Sequence, residues 1–514
     1  MMDTVESERV MYEHLRNLGC CKRCCLRYLG ERDSKSYNSV NETLVKKGLE
    51  NEEEENDSGP ERKILKHNPC IACLGVLQKE YSNDNAVQKI VSDVLRASYD
   101  CNIFTCALSL PISFQLRSHS LWLHLVDKFP VHFGLEIQHE SHVVSIKEAW
   151  KWTIAPVIAK AINKELDSGV KSDFFVGINV VYSGDEEECS CLLEMHEDVF
   201  KIRKTQKRKY HGNLYTRKAV ELALQTTDAA HFKKFFPSPP PVPAASVTYD
   251  NVTCSHNSMF MAGRYNKFSR TLSQTPWVID GERRMESSVQ EIICESLQIT
   301  SKAEGIKFSA SGREDVDVRT MGRGRPFVCE LLNPHRVKFT VDQVLSLEAD
   351  INSSSKEVAV RDLQIVPKDE LTNLKAGEEK KVKCYVALCV CHDHLTPGSL
   401  EKLANIKDLT LSQKTPIRVL HRRPLANRPR IIHSMRAWLL ENSSKLCKKE
   451  NATFFKLELK SQAGTYIKEF VHGDFGRTQP SLGQLLGGVS VDILALDVED
   501  IELDWPPAVK YAQG

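Results

Sequence analysis

Two carboxylates two residues apart, Asp315 and Asp317, sit in a stretch crowded with cations: Ser311-Gly312-Arg313-Glu314-Asp315-Val316-Asp317-Val318-Arg319, then Arg323 and Arg325 around Gly322 and Gly324. A carboxylate among cations has its charged form favoured, so Asp315 is expected to be ionised at neutral pH and available as a nucleophile or base. The arginines suit substrate phosphates. Charge runs of this kind are more often solvated hairpins whose surface ion pairs contribute little; here, however, one short loop carries little besides charge. Apolar residues flank it, Ile306 and Phe308 before, Phe327, Val328 and Leu331 after. The pattern therefore reads strand, irregular loop, strand, with the charges at a cleft edge.

A second group of chemically capable residues lies near the amino terminus. Cys21/Cys24 and Cys70/Cys73 form two C-x-x-C pairs, and a tetrahedral structural zinc site needs two such thiolate pairs brought together. Four ordinary buried cysteines are the plainer alternative. Cys20 and Cys25 leave open which sulfurs ligate, with Cys101 and Cys106 as outside candidates. The acidic, serine-rich segment between the pairs, near 31–60, reads as a flexible insertion.

The elements that must position these groups follow from periodicity. A chain of 514 residues with 41% hydrophobic and 27% charged residues describes a soluble protein of two or three domains. Apolar residues at helical spacing predict helices over 5–18, 85–97, 143–166 (kinked at Pro156), 286–298 and 341–352. Strand patterns occur at LWLHLVDKF (121–129) and DFFVGINVVYS (173–183), then around 306–311, 325–331, 357–366, 381–391 and 453–460. The expectation is an α/β first domain, 1–280, and a second domain, 281–514, of α+β class with a mainly antiparallel mixed sheet. No apolar run reaches the ~18–20 residues of a membrane span, and the acidic start lacks signal-peptide character. An intracellular protein without membrane association is expected, in nucleus or cytosol with mitochondria left open. Seventeen cysteines then suggest reduced thiols and metal rather than a disulfide framework.

Net charge is only +1, so any nucleic-acid surface must be a local basic groove. Three stretches qualify: KIRKTQKRKYH (201–211), Gly263-Arg264-Tyr265-Asn266-Lys267-Phe268-Ser269-Arg270, which interleaves cations with aromatics, and Arg418 to Pro424 with His421, Arg422 and Arg423, followed by Arg428 and Arg430. Each has a plain alternative as a solvated loop or strand edge.

Three ordered motifs in the second half resemble the pseudouridine synthase ten family: Gly312-Arg313-Glu314-Asp315, matching G-R-x-D, within GREDVDVR and followed by GRGRPF; Lys383-Cys384-Tyr385, matching K-x-Y; and Gly464-Thr465-Tyr466-Ile467-Lys468. Together they are far more specific than any one alone. The resemblance implies a THUMP-containing RNA-binding module and a four-cysteine zinc site (Cys21, Cys24, Cys70, Cys73) in the first domain, and a pseudouridine synthase catalytic domain in the second. It implies isomerisation of uridine to pseudouridine in the T loop of transfer RNA, at position 54, 55 or both, with no catalytic cofactor. Other structured RNAs and RNA-processing proteins are further partners it leaves open.

On that reading Asp315 attacks the ribose or the uracil, or removes a sugar proton. Tyr385 stacks on the base and is a candidate for the carbon-5 proton. Lys468 pairs with the aspartate where many related enzymes have arginine, and Asp317 ranks second as nucleophile. Arg313, Arg319, Arg323, Arg325, Arg264, Tyr265, Lys267, His421, Arg422 and Arg423 become the RNA-binding set, and the target base must flip out of its stack. Two other classes compete: a non-catalytic RNA-processing scaffold on the same fold, and a magnesium-dependent nuclease using Asp315, Asp317 and Glu330, which the crowded arginines disfavour.

Overall fold

The computed structural model describes residues 4–51, 68–78, 84–133, 139–167, 172–206, 208, 214–376, 382–421, 423–440 and 452–509. The chain forms two compact units, Met1–His256 and Asn257–Gly514.

In the first unit the described residues form a sheet of β1 (Ile103–Ser109), β2 (Glu165–Leu166), β3 (Phe174–Val181) and β4 (Thr248–His256) in the order β2-β1-β3-β4. β1 pairs in parallel with both β2 and β3, and β4 joins antiparallel. Parallel neighbours need a crossover, which helices Ser113–Lys128, Ile146–Thr153 and Ala155–Ala161 supply between β1 and β2. Two expectations are corrected. The segment 121–129, read as a strand, lies mostly within helix Ser113–Lys128, with Leu121, Trp122 and Leu125 buried at helical spacing. The short run looked β-like because periodicity alone does not separate a buried strand from a buried helix. The early part of the supposed flexible insertion also folds, as helices Ser34–Asn38 and Val40–Lys46 anchored by buried Tyr37 and Leu44; residues 52–67 lie outside the described set.

The second unit begins well ahead of the expected boundary at 280, because β5 (Met259–Lys267) pairs antiparallel with β9 (Val318–Pro334). Between them run the hairpin β6 (Val278–Ile279) and β7 (Glu282–Arg283), and β8 (Ala303–Ala310). Then come β10 (Val358–Val366), β11 (Val382–Cys391), β12 (Lys407–Lys414), β13 (Asn427–Leu439), β14 (Thr453–Gln462), β15 (Thr478–Gln479) and β16 (Val491–Ile501). The sheet order is β10-β5-β9-β16-β11-β14-β13-β12-β15, with β8 on β9. Among the described residues its only parallel pairing is β9 with β16, through Val318–Leu496, Arg319–Asp497 and Thr320–Val498.

That parallel seam joins two packed halves. On one side helices Val289–Ser301 and Val341–Ser354 cover β5, β9 and β10, burying Ile293, Leu297, Leu347, Phe327 and Leu331; each such side chain contributes roughly 1.5–3 kcal/mol. On the other, helix Ile467–His472 packs Ile467, Phe470 and Val471 with Leu457, Leu459, Leu496 and Val498. At the seam Gly322 has φ +55°, and a Cβ there would lie 1.8 Å from the Glu499 carbonyl oxygen. Only glycine lets β9 approach β16 so closely.

Candidate functional site

Asp315 sits in the loop between β8 and β9, at the start of the seam. The residue before it points the other way: Glu314 is fully buried, accepts from the Tyr265 hydroxyl at 2.8 Å and forms a 2.7 Å ion pair with Arg325, side chains 0% and 1% exposed. Arg325 also donates to the Ser311 carbonyl at 2.7 Å, and Gln274 to that of Gly312 at 3.0 Å. Opposite directions for Glu314 and Asp315 make the loop a device, one carboxylate anchoring beneath and the next presented above.

The loop's main chain is held by two further cations. Buried Lys267 donates to the carbonyls of Leu272, Asp315 and Val316 at 2.8, 3.1 and 2.8 Å. Arg270 donates to those of Asp317 and Leu496, both at 2.9 Å, and to the Asp497 carboxylate at 2.6 Å. Burial pushes the Lys267 ammonium down, to about 8, against the opposing pull of Glu314 and Asp317.

Above the loop, two cations converge on the aspartates from different segments. Arg418, in the turn Ile417–Val419, donates from Nη1 to Asp315 Oδ2 at 2.8 Å and from Nε to Glu469 Oε1 at 2.6 Å. Lys468, on helix Ile467–His472, lies 3.6 Å from Asp315 Oδ2 but 2.7 Å from both oxygens of Asp317. Lys468 therefore reaches Asp315 as expected, yet holds Asp317 more closely. Burial works against the charged Asp317, but the hydrogen bond and charge of Lys468 outweigh it and hold that carboxyl below the usual range. Arg418, whose place in a basic tract suggested RNA gripping, is the nearer partner of Asp315.

Buried groups position both arms. Gln413 accepts from the Tyr466 backbone N–H and donates to the Tyr466 carbonyl, each at 3.0 Å, fixing the start of the Lys468 helix. Asp474 accepts from the Ile417 backbone N–H at 3.3 Å, and Arg477 donates to the Thr415 carbonyl at 2.5 Å, fixing the turn that carries Arg418. The Gly464–Asp474 segment thus serves the site twice, once through Lys468 and once by seating Arg418. Glu469, 2% exposed, is the missed residue with the clearest signal: an acid immediately after the basic member of the motif.

Tyr385 lies on β11 in register with Leu459 of β14 and Val498 of β16, beside the seam. Burial pushes its hydroxyl up to about 12, with Arg325 pulling down and Asp315 pushing up. A phenol so raised is almost wholly neutral at pH 7, suited to stacking and hydrogen-bond donation; action as a base would need substrate to change its surroundings.

The expected RNA-binding set separates. Arg313 is exposed beside Asp315 and makes no hydrogen bond or ion pair among the described residues, and His421 and Arg423 are exposed; Arg422 lies outside the described residues. Arg264, Tyr265, Lys267 and Arg325 are corrected to internal roles, because each is buried on partners inside the fold, whereas Arg319 and Arg323 make ion pairs at the surface. Arg319 grips Asp497 bidentately at 2.9 and 2.5 Å, and Arg323 pairs with Asp500 and Asp504 at 3.0 and 3.1 Å. Arg325, Tyr265 and Lys267 are the buried anchors already described. Buried Arg264 donates to the carbonyls of Gly324, Trp505 and Leu503. The nuclease triad does not assemble either: Glu330 accepts from Ser258 at 2.9 Å and pairs with Lys307 at 3.4 Å, while Asp315 and Asp317 are held by cations.

In the first unit Cys21, Cys24, Cys70 and Cys73 come together, their sulfurs all within 4.8 Å of one another and buried. Cys21 and Cys73 sulfurs are 3.8 Å apart, about the edge of a tetrahedron with ~2.3 Å metal–sulfur bonds. The donor set fits a metal. Cys20, Cys25, Cys101 and Cys106 stand outside the quartet. Of the basic tract 201–211, residues 207 and 209–211 lie outside the described set.

Comparison with known proteins finds relatives along the whole chain. A family model described as "Pus10, C-terminal" matches residues 260–502, and one described as "Eukaryotic Pus10, N-terminal" matches residues 70–254. The chain is similar to the tRNA pseudouridine synthase Pus10 of Xenopus laevis, 38% identical over 530 residues, covering 98% of this chain and 99% of that protein. It is 38% identical over 548 residues to the Homo sapiens protein of the same name, covering 99% and 100%. The protein of that name from the archaeon Thermofilum pendens is 36% identical over 249 residues, 48% of this chain and 52% of its own.

Proposed function

The chain belongs to the Pus10 family and is a pseudouridine synthase; from that footing we propose that it isomerises uridine in the T loop of transfer RNA, at position 54, 55 or both, with Asp315 as the reacting carboxylate. The observation that carries the assignment is the loop that buries Glu314 against Arg325 and presents Asp315, one-third exposed, to Arg418 and Lys468. Two cations hold and aim the carboxylate. The reaction breaks the bond from the anomeric carbon to nitrogen-1 and makes one to carbon-5, with a proton leaving carbon-5 and none consumed overall, so no redox cofactor enters. Asp315 is placed to bond to the sugar or base, or to take a sugar proton. Neutral Tyr385 supplies a ring to stack on the flipped uracil and a hydroxyl without a hydrogen-bond partner among the described residues. Arg313 and Arg423 remain as exposed cations for the RNA backbone, with the exposed imidazole of His421 beside them in the chain.

The same reading gives the cysteine quartet zinc. Four thiolates close the coordination shell, so the ion would tie the amino-terminal helices to the Cys70–Cys73 turn and take no part in the isomerisation.

The test is a chemical-mapping or tritium-release assay on an unmodified transfer RNA, comparing the parent with Asp315→Asn. Pseudouridine from the parent alone, with RNA affinity changed no more than a few fold, is expected. Turnover by Asp315→Asn would remove the assignment.

A further inference from the structure

The turn Gly473-Asp474-Phe475-Gly476 follows directly on the helix that carries Lys468, and its four residues have φ of +81°, +46°, +55° and +79°. Glycine adopts that region freely, whereas aspartate and phenylalanine are strained there. For Asp474 the fold supplies the reason: it is buried, accepts from the Ile417 N–H at 3.3 Å and lies 3.5 Å from the Arg477 Nε, and its own N–H donates to His472 Nδ1 at 3.1 Å. Phe475 has no such reason. It is 95% exposed, so its ring packs on nothing described, and it occupies a position where glycine would be less strained. Exposed single hydrophobics are common, but a strained one, held out by a buried carboxylate, is not explained by packing.

Its neighbourhood says what it could meet. Asp474 fixes Ile417, and the next residue, Arg418, reaches Asp315. The exposed side chains of His421 and Arg423 follow the Ile417–Val419 turn in the chain. An exposed aromatic ring on the turn that seats the Arg418 arm matches how proteins hold single-stranded bases, by stacking on the ring.

We infer that Phe475 is a stacking platform for a nucleobase of the RNA next to the reacting uridine, taking up the stacking that the flipped base gives up. The inference deepens the proposed reaction and rests on it. Because any base has a π-face, the contact contributes affinity with little sequence preference. It also explains the strain: the turn must seat Arg418 through Asp474 and project the next side chain outward.

The experiment uses the full-length protein and an unmodified transfer RNA transcript carrying 2-aminopurine at each T-loop position in turn. Phe475→Ala is expected to weaken RNA binding by roughly 5- to 100-fold, Phe475→Trp to restore it and Phe475→Leu not to, since stacking needs a ring. At one position beside the target uridine the parent and Phe475→Trp should quench 2-aminopurine, and Phe475→Ala should not. RNA affinity within twofold of the parent for Phe475→Ala, or full restoration by Phe475→Leu, overturns the inference; the latter points to an apolar contact with a protein. If the parent binds RNA without isomerising it and Phe475→Ala still loses affinity and quenching, the platform stands and the reaction assignment falls.

Discussion

The most discriminating perturbation is at Arg418, because the sequence motifs point to Lys468 as the partner of Asp315 and the geometry gives the shorter contact to Arg418, 2.8 Å against 3.6 Å. At 3.6 Å Lys468 acts on Asp315 by charge alone, whereas Arg418 makes a charge-assisted hydrogen bond. Such bonds are worth roughly 1.5–3 kcal/mol when sheltered. Here the side chains of Arg418 and Asp315 are 38% and 32% exposed, so water competes and about 1–1.5 kcal/mol is the reasonable figure. That corresponds to a loss of roughly 5- to 10-fold in the rate of the chemical step for Arg418→Gln. The substitution has a second effect. It strips the cation from Glu469, whose side chain is 2% exposed; breaking a fully buried pair costs roughly 3–5 kcal/mol, and with Arg418 itself 38% exposed the cost here falls below that. The single variant should therefore melt earlier as well as react more slowly. Adding Glu469→Gln separates the two effects, because the double variant has no buried unpaired charge yet still lacks the bond to Asp315. Its melting temperature should recover while its rate stays low. The assay is single-turnover isomerisation of an unmodified transfer RNA with enzyme in excess, alongside RNA affinity and thermal melting. A double-variant rate within twofold of the parent, or a defect confined to RNA affinity, would refute the pairing and leave Arg418 as a backbone contact.

Lys468→Met should also slow the chemical step, and because its closest partner is Asp317, Asp317→Asn should reproduce part of that loss; a normal rate for Lys468→Met removes it from the site. Glu314→Gln leaves Arg325 charged and fully buried, so the second unit should lose roughly 3–5 kcal/mol, read as a fall in melting temperature with little change in RNA contact; an unchanged melting curve would deny the anchor. Lys267 gives a pH signature: burial sets its folded pKa at about 8, below its unfolded value, so between the two the unfolded state binds more protons and stability should rise with pH. Lys267→Met should flatten that part of the stability–pH curve, and an unaltered slope would show that another group is responsible. Cys70→Ser with Cys73→Ser should cut bound zinc and lower the melting temperature of the first unit, whereas full zinc content and parental melting would contradict the metal site.

What could be read from the sequence was local. The strand–loop–strand around Asp315, the helices near 289 and 341, the strands near 358, 382 and 453, and the two C-x-x-C pairs all rest on short-range periodicity or spacing. What could not be read was the destination of a charge. Arg264, Lys267, Arg319, Arg323 and Arg325 look alike in sequence to Arg313, and nothing nearby says that the first five find acceptors in distant carbonyls and in Asp497, Asp500, Asp504 and Glu314 while the last finds none among the described residues. The helix at 113–128 was missed for a related reason: its apolar residues are continuous enough to suit either period.

That sorting of charge also explains how a chain with almost balanced charge builds a reactive carboxylate. Each cation that props the Asp315 loop from below is satisfied by backbone carbonyls or by its own buried acid, so it adds rigidity. The cations that meet the Asp315 side chain are Arg418 and Lys468, which arrive on two segments that Asp474 and Gln413 seat separately. Because Arg418 divides its donors between Asp315 and Glu469, it is held in place by one acid while serving the other. The expected consequence is that Glu469→Gln, which weakens the hold but keeps a hydrogen-bond acceptor, slows isomerisation less than Arg418→Gln does.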